Sequence, residues 1–289
     1  MIPTVHHRTA TVDGLDVFYR EAGDPRAPHV VLLHGFPTSS HMFRHLIPAL
    51  ADRYHVVAPD HIGFGQSAMP APQDFPYSFE ALTRITSGLL RQLGVDRFAM
   101  YVQDYGAPIG WRLALQAPER ITAIVTQNGN AYVEGFVKPF WDVVFAYART
   151  PGPDTEAPMR DALTVESTRW QYLNGVADPS LVSPDNWVHD QALLDRPGND
   201  EIQLTLFRDY PTNVDLYPQV QQYFRDSRVP LLAVWGANDE IFGPAGAEAF
   251  GRDLPGAEIH LLESGHFALE SHLGAITDHI RDFLGRTLT

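Results

Sequence analysis
The sequence contains no cysteine, which excludes disulfides and thiolate metal sites and leaves the redox compartment open. Cations are scarce, with 21 Lys and Arg against 35 Asp and Glu and a formal charge of -14. No basic run could follow a phosphate backbone, so neither nucleic acid nor an anionic membrane surface is expected as a partner. No apolar run approaches membrane-spanning length, and the first residues lack the apolar core of a signal peptide; a soluble cytoplasmic protein is expected. The thirteen histidines are scattered without metal-binding spacing, so no metal is expected. What is plentiful is apolar surface. Hydrophobic residues make up 44% of 289, enough for one large domain, or for a domain with an inserted subdomain.

Short apolar runs alternate with helical patterns. Residues 11 to 22 hold an Asp-Gly turn between two half-alternating runs and predict a β-hairpin at a sheet edge. His29 to Leu33, Tyr54 to Asp60, Arg97 to Gln103, Ile121 to Thr126, Val229 to Trp235 and Glu258 to Leu262 are continuous enough to be strands buried on both faces. Between them Ser40 to Ala51, Phe79 to Leu93 behind an N-cap at Ser78, Ala107 to Ala117, and Ala245 to Asp253 read as helices, with a last helix to about Leu284. The fold class is therefore α/β, a mostly parallel central sheet flanked by helices.

The alternation breaks after Gln127. About a hundred residues separate that strand from the next, far more than one crossover needs. The expected organisation is a core of residues 1–130 and 227–289 with an inserted helical lid at 131–226. The insertion carries Trp141, Trp170 and Trp187 and the tyrosines 132, 147, 172, 210, 217 and 223, most of which should form its own packing core.

The chemistry gathers at strand ends. In Val102-Gln103-Asp104-Tyr105-Gly106 a strand turns sharply into a helix, in the manner of a G-x-S-x-G elbow with Asp104 in the serine position. Taken alone, Asp104 could simply cap the helix. Three further pieces close other strands: His34-Gly35-Phe36-Pro37, Asp239 in Gly236-Ala237-Asn238-Asp239, and His266 in Ser264-Gly265-His266. Their order is nucleophile, acid, histidine, and all fall where open α/β sheets place ligand sites.

These motifs, with the loop Asp60-His61-Ile62-Gly63-Phe64-Gly65-Gln66-Ser67, resemble the α/β-hydrolase superfamily. More narrowly they resemble its aspartate-nucleophile branch, the epoxide hydrolases and haloalkane dehalogenases. Val102 departs from the motif, which has glycine two positions before the nucleophile. The resemblance implies an α/β-hydrolase fold whose catalytic residues are Asp104, His266 and Asp239, with Glu240 and Glu134 as fallback acids. A carboxylate nucleophile suits displacement at saturated carbon, leaving an alkyl ester that a water activated by His266 cleaves. The backbone N–H groups of Phe36 and Tyr105 would form the oxyanion hole, and Pro37 is a candidate for a cis peptide.

The leaving group divides the branch. Related dehalogenases place Trp after the nucleophile and often Asn in the first turn, where this chain has Tyr105 and Phe36; Trp141 or Trp170 could partly substitute. Epoxide hydrolases use two lid tyrosines, here assigned to Tyr217 and, for the first, Tyr147, with Tyr132 and Tyr172 as its alternates. The expectation is an epoxide hydrolase acting on a small apolar substrate and water without cofactor. A dehalogenase with the same triad is the alternative, and a ligand-binding receptor on the same fold a third. Oligomeric state is not encoded legibly.

Overall fold
A computed structural model describes residues 3–288. Its strands are β1 (His6–Val12), β2 (Leu15–Ala22), β3 (His29–Leu33), β4 (His55–Pro59), β5 (Phe98–Gln103), β6 (Ile121–Gln127), β7 (Leu231–Gly236) and β8 (Glu258–Leu262). They form one sheet in the order β1-β2-β4-β3-β5-β6-β7-β8. The β1–β2 hairpin turns through Asp13 and Gly14, both at positive φ, the geometry that Asp-Gly favours in a two-residue turn. It pairs antiparallel with β4, while β4, β3, β5, β6, β7 and β8 run parallel.

Strand β5 shows why the middle of the sheet needs a helix layer on each face. Phe98, Met100 and Val102 point into one apolar cluster and Ala99 and Tyr101 into the other, the two-residue alternation of a pleated strand. Helices α1 (Leu46–Leu50), α2 (Phe79–Gln92), α3 (Gly106–Gln116), α10 (Pro244–Asp253) and α11 (Ala268–Thr287) supply those layers, α2, α3 and α10 on the first face and α1 and α11 on the second. The side chain of Ser78 accepts the N–H of Ala81 at the start of α2, and Gly94 leaves that helix at positive φ, satisfying both ends as capping requires. The single helix expected from Ser40 is instead a 3-10 turn at Ser40–Phe43 followed by α1. The Ser40 N–H, one of the donors that a helix start leaves unpartnered, is bonded by Asp60.

Between β6 and β7 lie α4 (Phe140–Arg149), α5 (Pro153–Asp161), α6 (Val165–Leu173), α7 (Asp185–Leu194), α8 (Asn199–Asp209) and α9 (Pro211–Ser227). The two ends of this connection rest on the core: Phe136 bridges to Phe242, the Tyr132 hydroxyl donates to Asp253, and Phe224 of α9 packs edge-on against Trp111 of α3. Among the described residues no helix is long and apolar enough to cross a membrane.

Candidate active site
Strand β5 stops at Gln103, and Asp104 takes φ of 47° before α3 begins. A non-glycine residue is held there only by close packing of its surroundings. Gly106 provides it: a Cβ on that residue would lie 2.0 Å from the carbonyl oxygen of Leu33. Val102, the departure from the motif, is accommodated from the helix side, because a Cβ on Gly110 would come within 2.6 Å of its methyl. The small residue has moved from the strand to the helix that covers it.

The turn after β3 meets the elbow. The Phe36 N–H donates to Asp104 Oδ1 at 2.7 Å, and the Tyr105 N–H also favours the ionised carboxylate. The Phe36-Pro37 peptide is cis. His34 latches this turn to the next loop, its Nε2 accepting the His61 N–H at 3.1 Å while its carbonyl oxygen lies 3.0 Å from the His61 ring. Asp60 accepts the N–H groups of Ser40 and Gln66. These two motif residues therefore shape loops rather than touch the carboxylate.

His266 follows β8 and stands with Nε2 3.8 Å from Asp104 Oδ2 and Nδ1 2.8 Å from Asp239 Oδ2. Asp239 also accepts the Ile241 N–H at 2.7 Å and the Asn128 side-chain N–H at 2.8 Å. With Asp239 an acceptor throughout, the His266 proton sits on Nδ1 and the lone pair is on Nε2, 2.9 Å from Gln103 Nε2 and 3.8 Å from Asp104 Oδ2. Burial acts to lower the His266 pKa, but the charge and hydrogen bond of Asp239, with Asp104 behind, carry it above the ordinary value. Burial likewise raises the Asp104 carboxyl against the pull of His266 and the two backbone N–H groups. All three side chains are buried, so their mutual fields are weakly screened.

Two phenols complete the cluster. Tyr217 of α9 accepts from Asn130 at 3.4 Å and stacks on Phe136. Tyr210, just before Pro211, packs its ring on Trp141 at 4.3 Å and near Tyr105 at 6.0 Å. Burial raises the pKa of both phenols, which act on one another and feel the Asp104 charge; both stay protonated and able to donate at neutral pH. Tyr147 is not brought to this cluster. Its ring is buried with Trp141 and Val144 on the inner face of α4, and among the described residues no hydrogen bond or ring contact joins it to Tyr210 or Tyr217. Tyr132 and Tyr172 spend their hydroxyls on Asp253 and Asp190.

Trp141 has no free N–H for the site, since it donates to the Ile241 carbonyl at 2.7 Å, and Trp170 stands partly exposed, at 37%. Glu134 pairs with Arg252 at the surface and Glu240 is exposed, so neither competes with Asp239 for His266. Among the described residues no group of three or more His, Asp or Glu could hold a metal ion.

Three residues of the site escape sequence reasoning. Tyr210 is marked only by the following Pro211, which begins α9. Asn128, at φ of 49°, closes β6 and carries Asp239. Gln103 precedes the elbow and places its side-chain Nε2 2.9 Å from His266 Nε2.

The α/β hydrolase fold family matches residues 28–273. Over 277 residues, 95% of each protein, the chain is 45% identical to an uncharacterized hydrolase of Saccharomyces cerevisiae, YNR064C. It is 38% identical to epoxide hydrolase A of Mycobacterium tuberculosis over 133 residues, 46% of this chain and 41% of that one. Haloalkane dehalogenase DbeA from Bradyrhizobium elkani superposes with a TM-score of 0.83 over 99% of both chains at 26% identity. The chain is a hydrolase that belongs to the α/β-hydrolase fold family.

Proposed function
We propose that this hydrolase opens epoxides to diols through an ester on Asp104. Asp104 Oδ2 attacks a saturated epoxide carbon, the C–O bond breaks, and the departing oxygen takes a proton from Tyr210 or Tyr217. His266 Nε2 then removes a proton from water, whose oxygen adds to the Asp104 carbonyl carbon. The negative charge that develops on Oδ1 meets the N–H groups of Phe36 and Tyr105. Collapse expels the diol oxygen, which takes the proton back from His266, and the proton left on the new carboxyl returns to the phenolate. Asp239 holds the imidazole tautomer and supports its charged form.

The observation that carries the epoxide reading is the pair of protonated phenols in the field of Asp104, beside a Trp141 whose N–H is already committed. An alkoxide needs a proton, which a phenol gives; a halide needs only free N–H donors. The aromatic cluster of Phe36, Tyr105, Phe207, Trp141 and Tyr210 beside Asp104 suits a small apolar substrate. A hydrolytic dehalogenase using the same three residues is the second reading, favoured by the likeness to a haloalkane dehalogenase. Incubation of the purified protein with a panel of terminal and aryl epoxides and of haloalkanes tests the choice. Diol without halide release supports the proposal; halide release with no diol from any epoxide overturns it.

A further inference from the structure
Gln103 is fully buried, and its side chain meets His266 from the side opposite Asp239. Because His266 carries its proton on Nδ1 toward Asp239, the 2.9 Å contact at Nε2 is a bond donated by the Gln103 amide to the imidazole lone pair. The other end of the amide has no partner: Gln103 Oε1 is buried and unbonded. It faces Gly35 beside the nucleophile, since a Cβ on Gly35 would lie 2.7 Å from Gln103 Oε1 and 2.5 Å from Asp104 Oδ1.

The groups facing His266 explain what the amide does. Asp239 after β7 and Asp104 after β5 are both acidic, and both favour the imidazolium. An imidazolium 3.8 Å from Asp104 Oδ2 would pair with the nucleophile and surrender the lone pair needed for water, weakening both halves of the reaction. We propose that Gln103 is a positioning residue whose amide N–H, by occupying Nε2, keeps His266 neutral and out of an ion pair with Asp104 until the ester forms. A hydrogen bond to the neutral form of a base opposes its protonation. The inference rests on the covalent reading above and adds to it the residue that sets the resting state of the base.

The test is an NMR titration of the His266 ring nitrogens in the substrate-free enzyme, assigned by their loss in His266→Gln. Wild type is compared with Gln103→Met, which removes the donor, and Gln103→Glu, which adds a charge. The midpoint should rise by about 1 pH unit in the Met variant and further in the Glu variant. Gln103→Asn, whose amide stops one carbon short, should follow the Met variant and decides the matter if the latter fails to fold. The acid limb of ester hydrolysis, followed by intact mass after a single addition of epoxide, should move upward with the titration. Midpoints that coincide in folded wild type and variants would overturn the role of Gln103, whether or not an ester forms. Failure of every epoxide to alkylate Asp104 would instead strike the covalent reading itself.

Discussion

Phe36 and Asp104 are joined by a 2.7 Å hydrogen bond from the backbone N–H of one to Oδ1 of the other. The two carboxylate oxygens are thereby made different before any substrate arrives. In the proposed mechanism Oδ1 occupies the place where negative charge develops, and Oδ2, 3.8 Å from His266 Nε2, is the oxygen that attacks.

This division depends on Gly35, where a Cβ would lie 2.3 Å from the Cβ of Asp104. Gly35→Ala should force the two turns apart, lose ester formation, and cost about 1–3 kcal/mol of stability. Denaturant unfolding together with a burst assay checks both effects. A variant of wild-type activity would show that Oδ1 does not need its donor.

Tyr210 and Tyr217 are proposed to share the protonation of the epoxide oxygen. Tyr210→Phe or Tyr217→Phe alone should slow ester formation, and the double variant should slow it by at least about 100-fold. Hydrolysis of ester already formed should be unchanged. Tyr147→Phe should leave both steps alone, since among the described residues no hydrogen bond or ring contact joins that side chain to Tyr210 or Tyr217. Rapid-quench mass spectrometry separates the two steps.

The pH dependence follows from His266. In the proposed mechanism it works as a base only when neutral, and against the pull of burial its pKa is carried above the ordinary 6.5 by Asp239 and then Asp104. Ester hydrolysis should therefore fall on the acid side with an apparent midpoint above the usual histidine range. Asp239→Asn removes the largest cause of that rise, so its limb should move to lower pH while the maximal rate drops through loss of the held tautomer. A limb that stays in place would argue against Asp239 as the partner.

Much of the site was legible because its chemistry lies in contiguous residues at strand ends. The Asp-Gly hairpin, the elbow at Asp104, the turn at Phe36 and the late His266 each announce themselves through local backbone demands or a short spacing. Val102 stood out as a departure, and only the helix packing shows that Gly110 absorbs it. The long connection between β6 and β7 resisted for a different reason. Both Trp141 and Tyr147 lie on the buried face of α4, and which of them meets Tyr210 is set by docking: Trp141 does, while Tyr210 enters from the break between α8 and α9. Asn128 and Gln103 have no pattern of their own; their roles come from strands distant in sequence.

Asp190 offers a stability prediction within that connection. Its carboxyl is buried on α7, accepts the Tyr172 hydroxyl at 2.5 Å, and is pushed by burial up to about 7. Folding thus favours its protonated form, a contribution complete below the ordinary carboxylate pKa and lost as pH rises through about 7. Asp190→Asn cannot ionise. The melting-temperature advantage of wild type over Asp190→Asn should therefore shrink between about pH 4 and about pH 8. A constant difference across that range would mean that Asp190 is not held neutral.

The central claim is the ester on Asp104, and the intact mass of His266→Gln tests it most directly. Without its base the variant should be alkylated and then stall. After incubation with reactive epoxides the protein should gain the mass of one whole epoxide, and peptide mapping should place it on Asp104. A folded variant that gains no mass from epoxides that the wild type converts to diols, or that carries the adduct on another residue, would contradict the account.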